Sequence, residues 1–202
     1  MDNGLEGFRA QVLTTAELGA EEDLRSGTFR FLADILETVV LSLILFVAIN
    51  AVSARIRVDG FSMEPTLHSG EFVVVNKLSY RIGDFSRGDV VVFHYPRNPE
   101  QEYIKRIIGL PGDRVVVENG RLEINGEALT EEYIKAAPSY EGAWTVPAEG
   151  LFVLGDNRNN SSDSHNWGEV PLDLVIGKAV FVYWPPAEWG KIDLPRVAKA
   201  AP

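Results

Sequence analysis

No cysteine occurs in the 202 residues, which removes a disulfide framework, a thiolate metal site and a cysteine nucleophile, and leaves the redox compartment open. Basic clusters are missing too: 19 Lys and Arg stand against 29 Asp and Glu, for a net charge of −10. Phosphate backbones are held by grouped cations, so the balance argues against a nucleic-acid partner. Histidine is scarce, with only His68, His94 and His165, and a conventional serine protease needs one as its base. His68 falls in a turn six residues beyond the nearest candidate serine and His94 in a strand whose other face is apolar, which leaves His165 as the least unsuitable. Long amphipathic helices after residue 55, internal repeats and low-complexity tracts are also absent.

What is present starts with 46% hydrophobic side chains, enough for one compact domain and an accessory segment. Residues 1–34 form an acidic tail, with Glu17, Glu21, Glu22 and Asp23 close together, and little order is expected there. Thr38 to Ala54 then carries no charge over 17 residues, and Ile35 and Leu36 extend the run across Glu37. About 17 to 25 such residues cross a bilayer core, so residues 35–54 read as a transmembrane anchor, with Glu37 and Arg55 near its two interfaces. A buried core helix is the alternative. A cleaved export signal fits poorly, because such signals start behind a basic region and this chain starts with an acidic one. Arg25 and Arg30 on one side face Arg55 and Arg57 on the other, so charge does not set the orientation.

From residue 55 to 202 the pattern is short β-branched and aromatic runs, Glu71 to Val75, Asp89 to Tyr95, Arg114 to Glu118 and Val180 to Trp184, which read as strands. Asn119-Gly120 and Asn125-Gly126 supply hairpin turns. The expected fold is a mainly antiparallel β domain, with residues from about 114 to 148 forming a hairpin-rich excursion.

Three segments carry candidate chemistry. In Val58-Asp59-Gly60-Phe61-Ser62-Met63-Glu64-Pro65-Thr66-Leu67, Gly60 and Pro65 bracket Ser62 in a turn that would present its hydroxyl, although a turn serine is usually capping or solvated. In Tyr103-Ile104-Lys105-Arg106-Ile107-Ile108-Gly109-Leu110-Pro111-Gly112-Asp113, strand alternation puts Tyr103, Lys105 and Ile107 on one face and Ile104, Arg106 and Ile108 on the other. Lys105 thereby gains apolar neighbours. Desolvation lowers a lysine pKa and makes the amine a usable base, a role closed to the guanidinium of Arg106; a snorkelling surface lysine is the competing reading. The third segment, Gly155-Asp156-Asn157-Arg158-Asn159-Asn160-Ser161-Ser162-Asp163-Ser164-His165-Asn166-Trp167-Gly168, is polar and irregular after an apolar strand at Gly150 to Leu154. A calcium loop fails on Arg158 at a coordinating position and on the missing glycine and distal glutamate. A solvated connector remains open, as does a loop that fixes a catalytic lysine by hydrogen bonds.

These segments in order, with Arg87-Gly88-Asp89-Val90-Val91-Val92-Phe93 between the first two, resemble the bacterial type I signal peptidases from the apolar run to about residue 184. The resemblance implies a signal-peptidase or repressor-protease type of antiparallel β-sheet catalytic domain behind one N-terminal transmembrane helix. It implies Ser62 as nucleophile and Lys105 as general base, with Ser161 helping to orient the lysine, Asp163 in the same support network, and Asp156, Arg158 and Arg106 holding the site together. Where some members carry a second serine that donates to the oxyanion, this chain, like others in the family, has Gly60, so backbone N–H groups, that of Ser62 among them, must serve. Asn159 and His165 occupy places that often hold Asp and Arg, which removes one ion pair.

The implied activity is endopeptidase removal of N-terminal signal peptides from exported preproteins, after small residues of the Ala-x-Ala type, through an acyl-enzyme. Met63, Leu67, Tyr103 and Ile104 are the expected substrate-binding residues, forming shallow apolar pockets. No metal or cofactor is expected. The implied partners are preprotein signal peptides and the lipid bilayer, in a single-pass plasma-membrane protein with its catalytic domain on the extracytoplasmic side. Two rivals stand beside this reading: a self-cleaving repressor, which is soluble and carries a DNA-binding domain, and a membrane-tethered β module that catalyses nothing.

Overall fold

The apolar run is one continuous helix. In the computed structural model, which describes residues 30–192, α1 spans Arg30–Val52, 23 residues without glycine or proline. The acidic tail expected over 1–34 lies outside the described residues up to residue 29. Residues 30–34 are helical, because Phe31 and Leu32 continue the apolar sequence and no breaker separates them from it. At 1.5 Å per residue α1 is about 34 Å long, enough to cross a hydrocarbon core of about 30 Å. Its apolar side chains, Leu36, Leu43 and Phe46 among them, are exposed. Its hydroxyls turn inward along the helix: Thr38 donates to the Asp34 carbonyl at 2.8 Å and Ser42 to that of Thr38 at 2.7 Å.

The chain divides into two compact units, residues 1–50 and 51–202. The second unit is built, in chain order, from β1 (Ser53–Arg57), β2 (Phe72–Asn76), β3 (Val90–Tyr95), β4 (Asn98–Gly109), β5 (Arg114–Glu118), β6 (Arg121–Ile124), β7 (Glu127–Ala128), β8 (Gly142–Thr145), β9 (Gly150–Leu154), β10 (Val170–Pro171), β11 (Val175–Trp184) and β12 (Gly190–Lys191). Two short α-helices, α2 (Ser79–Ile82) and α3 (Ser164–Trp167), and two single-turn 3-10 helices, Leu172–Leu174 and Pro186–Glu188, interrupt them among the described residues. The strands make two antiparallel sheets. The larger runs β1-β2-β11-β3-β4-β9-β10, with β12 paired to β11, and the smaller runs β7-β6-β5-β8. The smaller sheet covers most of the expected excursion; Asn119 (φ 51°) and Asn125 (φ 55°) adopt the left-handed conformation at its two tight turns.

Alternation explains how one strand serves two cores. Val90 and Val92 of β3 join Ile104 of β4, Met63, Leu67, Val73 and Val75 in one apolar cluster. Val91 and Phe93 join Ile107, Leu151, Val153 and Trp167 in another, with Tyr103 against it. A third cluster, Ile108, Val115, Leu122, Phe152 and Leu154, joins the two sheets. The residues around Lys105 are therefore held between well-packed layers on a twelve-residue strand.

β4 changes partner along its length, and this shapes the site. β3 pairs with it from Asn98 to Arg106, whereas β9 pairs only with Arg106, Ile107 and Gly109. On the side away from β3, residues 98–105 thus have no strand partner among the described residues.

Candidate active site

The turn after β1 carries Ser62. Gly60 sits at φ +96°, a conformation that L side chains rarely adopt, so a serine at this position would be strained. Asn157 fixes the following residues: its backbone N–H donates to the Ser62 carbonyl at 3.0 Å and its side-chain amide to that of Phe61 at 3.1 Å. The Ser62 N–H donates to no acceptor among the described residues.

Lys105 reaches that serine from β4. Its Nζ lies 2.8 Å from Ser62 Oγ and 2.9 Å from the Ile104 carbonyl oxygen, 5.3 Å from the centre of the Tyr103 ring, and the residue is only 5% exposed. No carboxylate touches it. Burial pushes the amine down to about 8, against the opposing pull of Asp163 and Asp156 at a distance.

On the opposite face of the strand Arg106 is wholly buried and makes four hydrogen bonds. Nε and Nη2 donate to the two oxygens of Asp156 at 2.8 and 2.6 Å, Nη1 to the Gly88 carbonyl at 2.7 Å and Nη2 to Thr66 Oγ1 at 3.3 Å. Its guanidinium also lies 4.3 Å from the centre of the Tyr133 ring. Arg158, buried too, makes a second bidentate pair at 2.5 Å with Glu131 and donates to the Gly155 carbonyl at 3.2 Å. The two ion pairs, Arg106 with Asp156 and Arg158 with Glu131, are joined through the Tyr133 ring, whose centre lies 5.9 Å from the Arg158 guanidinium as well. Asp163 is buried as well and accepts from the Gly155 N–H at 3.0 Å while facing His165 Nδ1 at 2.6 Å.

Ser161 differs from the expectation drawn for it. Its buried hydroxyl has no hydrogen-bond partner among the described residues, and the Lys105 amine meets Ser62 and Ile104 instead. Ser161 Oγ and the Ser62 carbonyl both crowd Gly155, where any Cβ would collide with them. Met63 and Leu67 also sit elsewhere. They are 1% and 0% exposed in the apolar core and do not line the cleft, because the turn points them inward. Tyr103 and Ile104 do line it, with Ile56, Val92, Gly60, Ser62 and Lys105, around a volume of about 650 Å³.

Sequence reasoning missed Glu131, Tyr133 and Thr66 and gave Asn157 no role. The departures at Asn159 and His165 are locally satisfied: Asn159 accepts from Ser139 N–H at 2.7 Å and Oγ at 2.9 Å and donates to the Ala137 carbonyl at 2.9 Å, while His165 stacks on Tyr140 with ring centres 3.9 Å apart.

The family model described as signal peptidase, peptidase S26 matches residues 32–184. A signal peptidase I of Leptolyngbya laminosa is 43% identical over 169 residues, covering 79% of this chain and 83% of its own. A probable signal peptidase I-2 of Synechocystis is 45% identical over 156 residues, 74% of this chain and 72% of its own. A signal peptidase I of Bacillus caldolyticus is 42% identical over 162 residues, 73% of this chain and 85% of its own.

Proposed function

The chain belongs to the signal peptidase family, peptidase S26, and on that premise we propose that it removes signal peptides from exported preproteins with Ser62 as nucleophile and Lys105 as general base. The observation that carries this reading is the 2.8 Å contact between the Ser62 hydroxyl and an amine whose pKa burial lowers to about 8.

A neutral amine has one lone pair and two N–H bonds. One N–H goes to the Ile104 carbonyl, which leaves the lone pair to accept the Ser62 proton as Oγ attacks the scissile carbonyl carbon. The oxygen that gains charge is met by the uncommitted Ser62 N–H, a donor already in place. As the carbon–nitrogen bond breaks, the Lys105 ammonium returns its proton to the leaving amine. Water then attacks the ester, Lys105 takes one of its protons, and the acid product leaves as Ser62 recovers its own. Asp156, Arg106, Arg158 and Asp163 act as positioning residues.

The free edge of β4 from Gln101 to Lys105 offers main-chain groups to an extended peptide, the recognition mode of strand addition. Ile56, Val92, Tyr103 and Ile104 give the apolar wall that suits small side chains at −1 and −3. α1 serves as the single membrane anchor, with the β domain on the extracytoplasmic side where preproteins emerge.

The test is cleavage of a labelled preprotein by the full chain in detergent. Ser62→Ala and Lys105→Ala should each lose about 10⁴-fold or more in kcat while keeping the fold, and an Ala→Leu change at −1 of the substrate should stop cleavage. Wild-type activity in Lys105→Ala would remove the dyad.

A further inference from the structure

Four side chains that carry charge at neutral pH or can do so line the cleft: Arg57, Asp59, Glu102 and Lys105. Two answer each other across an exposed pair, Arg57 Nε lying 3.6 Å from Asp59 Oδ1. Lys105 is the buried amine. Glu102 remains, exposed on the β4 wall, with no hydrogen bond or ion pair to any described residue. His94 stands opposite it in the ladder, but its ring Nδ1 faces the Pro99 carbonyl at 3.0 Å. Arg57 and Asp59 offset each other, which leaves Glu102 as the carboxylate of this lining with no cation paired to it among the described residues.

Position gives that charge a consequence. Glu102 stands three residues before Lys105 on the strand edge that has no partner. A peptide added to this edge advances about 3.3 Å per residue, so the side chain beside Glu102 lies about 10 Å, or three residues, from the bond held at Ser62 and Lys105. We propose that Glu102 is a specificity-determining residue that favours a basic side chain, and disfavours an acidic one, three to four residues from the scissile bond. The proposal rests on the peptidase reading of the cleft.

The experiment uses the full chain in detergent and preproteins that differ at one residue, carrying Lys, Gln or Glu at the third or fourth position on either side of the cut. On the side that runs along β4, kcat/KM for Lys should exceed that for Glu about five-fold, the scale of an exposed charge pair, with Gln between. The gap should shrink in 1 M salt, where charges are screened within about 3 Å. Glu102→Gln should bring the Lys-to-Glu ratio to about one, and Glu102→Lys should invert it. Because each ratio is internal to one protein, a lower overall rate in a variant does not affect the reading. A wild-type ratio of one, or a ratio that survives in Glu102→Gln, overturns the proposal and leaves the peptidase reading intact. No cleavage of any substrate by the wild type overturns both.

Discussion

Residues 105 and 106 are neighbours on one strand, both cationic by type and both buried, yet the two faces of β4 treat them in opposite ways. Arg106 meets a bidentate carboxylate, a carbonyl and a hydroxyl, and nothing of its guanidinium is exposed. Lys105 meets one hydroxyl and one carbonyl, with the nearest carboxylates acting only at a distance. A guanidinium cannot shed its proton, so burying it demands a counter-ion. An amine can, and burial without a counter-ion lowers the pH at which it does so. On the proposed reading, the paired face supplies rigidity and the unpaired face supplies the base.

The contrast breaks most severely on the paired side. Asp156→Ala leaves Arg106 buried without a counter-ion and should lower stability by about 3 to 5 kcal/mol in denaturant unfolding; a change below about 1 kcal/mol would mean that Arg106 is held otherwise. On the unpaired side the sign reverses. The Lys105 pKa falls from 10.5 to about 8 on folding, so between these values the unfolded chain binds more protons and wild-type stability rises with pH. Below pH 8 the whole penalty is present, on the order of 3 kcal/mol at about 1.4 kcal/mol per pH unit. Lys105→Met removes it but also loses two hydrogen bonds of roughly 1 kcal/mol each, for a net gain of about 1 kcal/mol at pH 7 that turns into a net loss of about 2 kcal/mol as the penalty fades toward pH 10.5. Parallel melting of wild type and variant across pH 7 to 10.5 reads this directly, and a gain independent of pH would contradict it. The smallest effect belongs to the loop margin. Asn159→Ala removes three exposed hydrogen bonds to residues 137–139 and should cost less than about 1 kcal/mol, with hydrogen exchange rising at those residues.

Much of this contrast was legible in the chain itself. Period-two alternation separated Tyr103, Lys105 and Ile107 from Ile104, Arg106 and Ile108, and the apolar clusters on either side follow that division. Arg114–Glu118 is a strand with the expected ends, whereas β11 starts at Val175, five residues before the run at Val180 that marked it, because Gly177 and Lys178 interrupt its apolar pattern. The ionic cluster was only half legible. Arg106, Asp156 and Arg158 stand in recognisable motifs, but Glu131 is one of 29 acidic residues and meets Arg158 from 27 positions away, across a chain reversal that no local spacing encodes. Met63 and Leu67 lie close to Ser62 in sequence, yet the turn buries them in the core, a direction that proximity along the chain does not set.

The central claim is that the Lys105 amine loses its proton near pH 8, well below an ordinary lysine, because it is buried without a carboxylate in contact. It is tested most directly by titrating lysine ¹³Cε chemical shifts of the full chain in detergent, with Lys105 assigned from the resonance lost in Lys105→Met. One resonance should titrate near 8, apart from lysines near 10.5, and kcat/KM should rise with pH through the same value. A Lys105 resonance that titrates with the others above pH 10 would contradict the account.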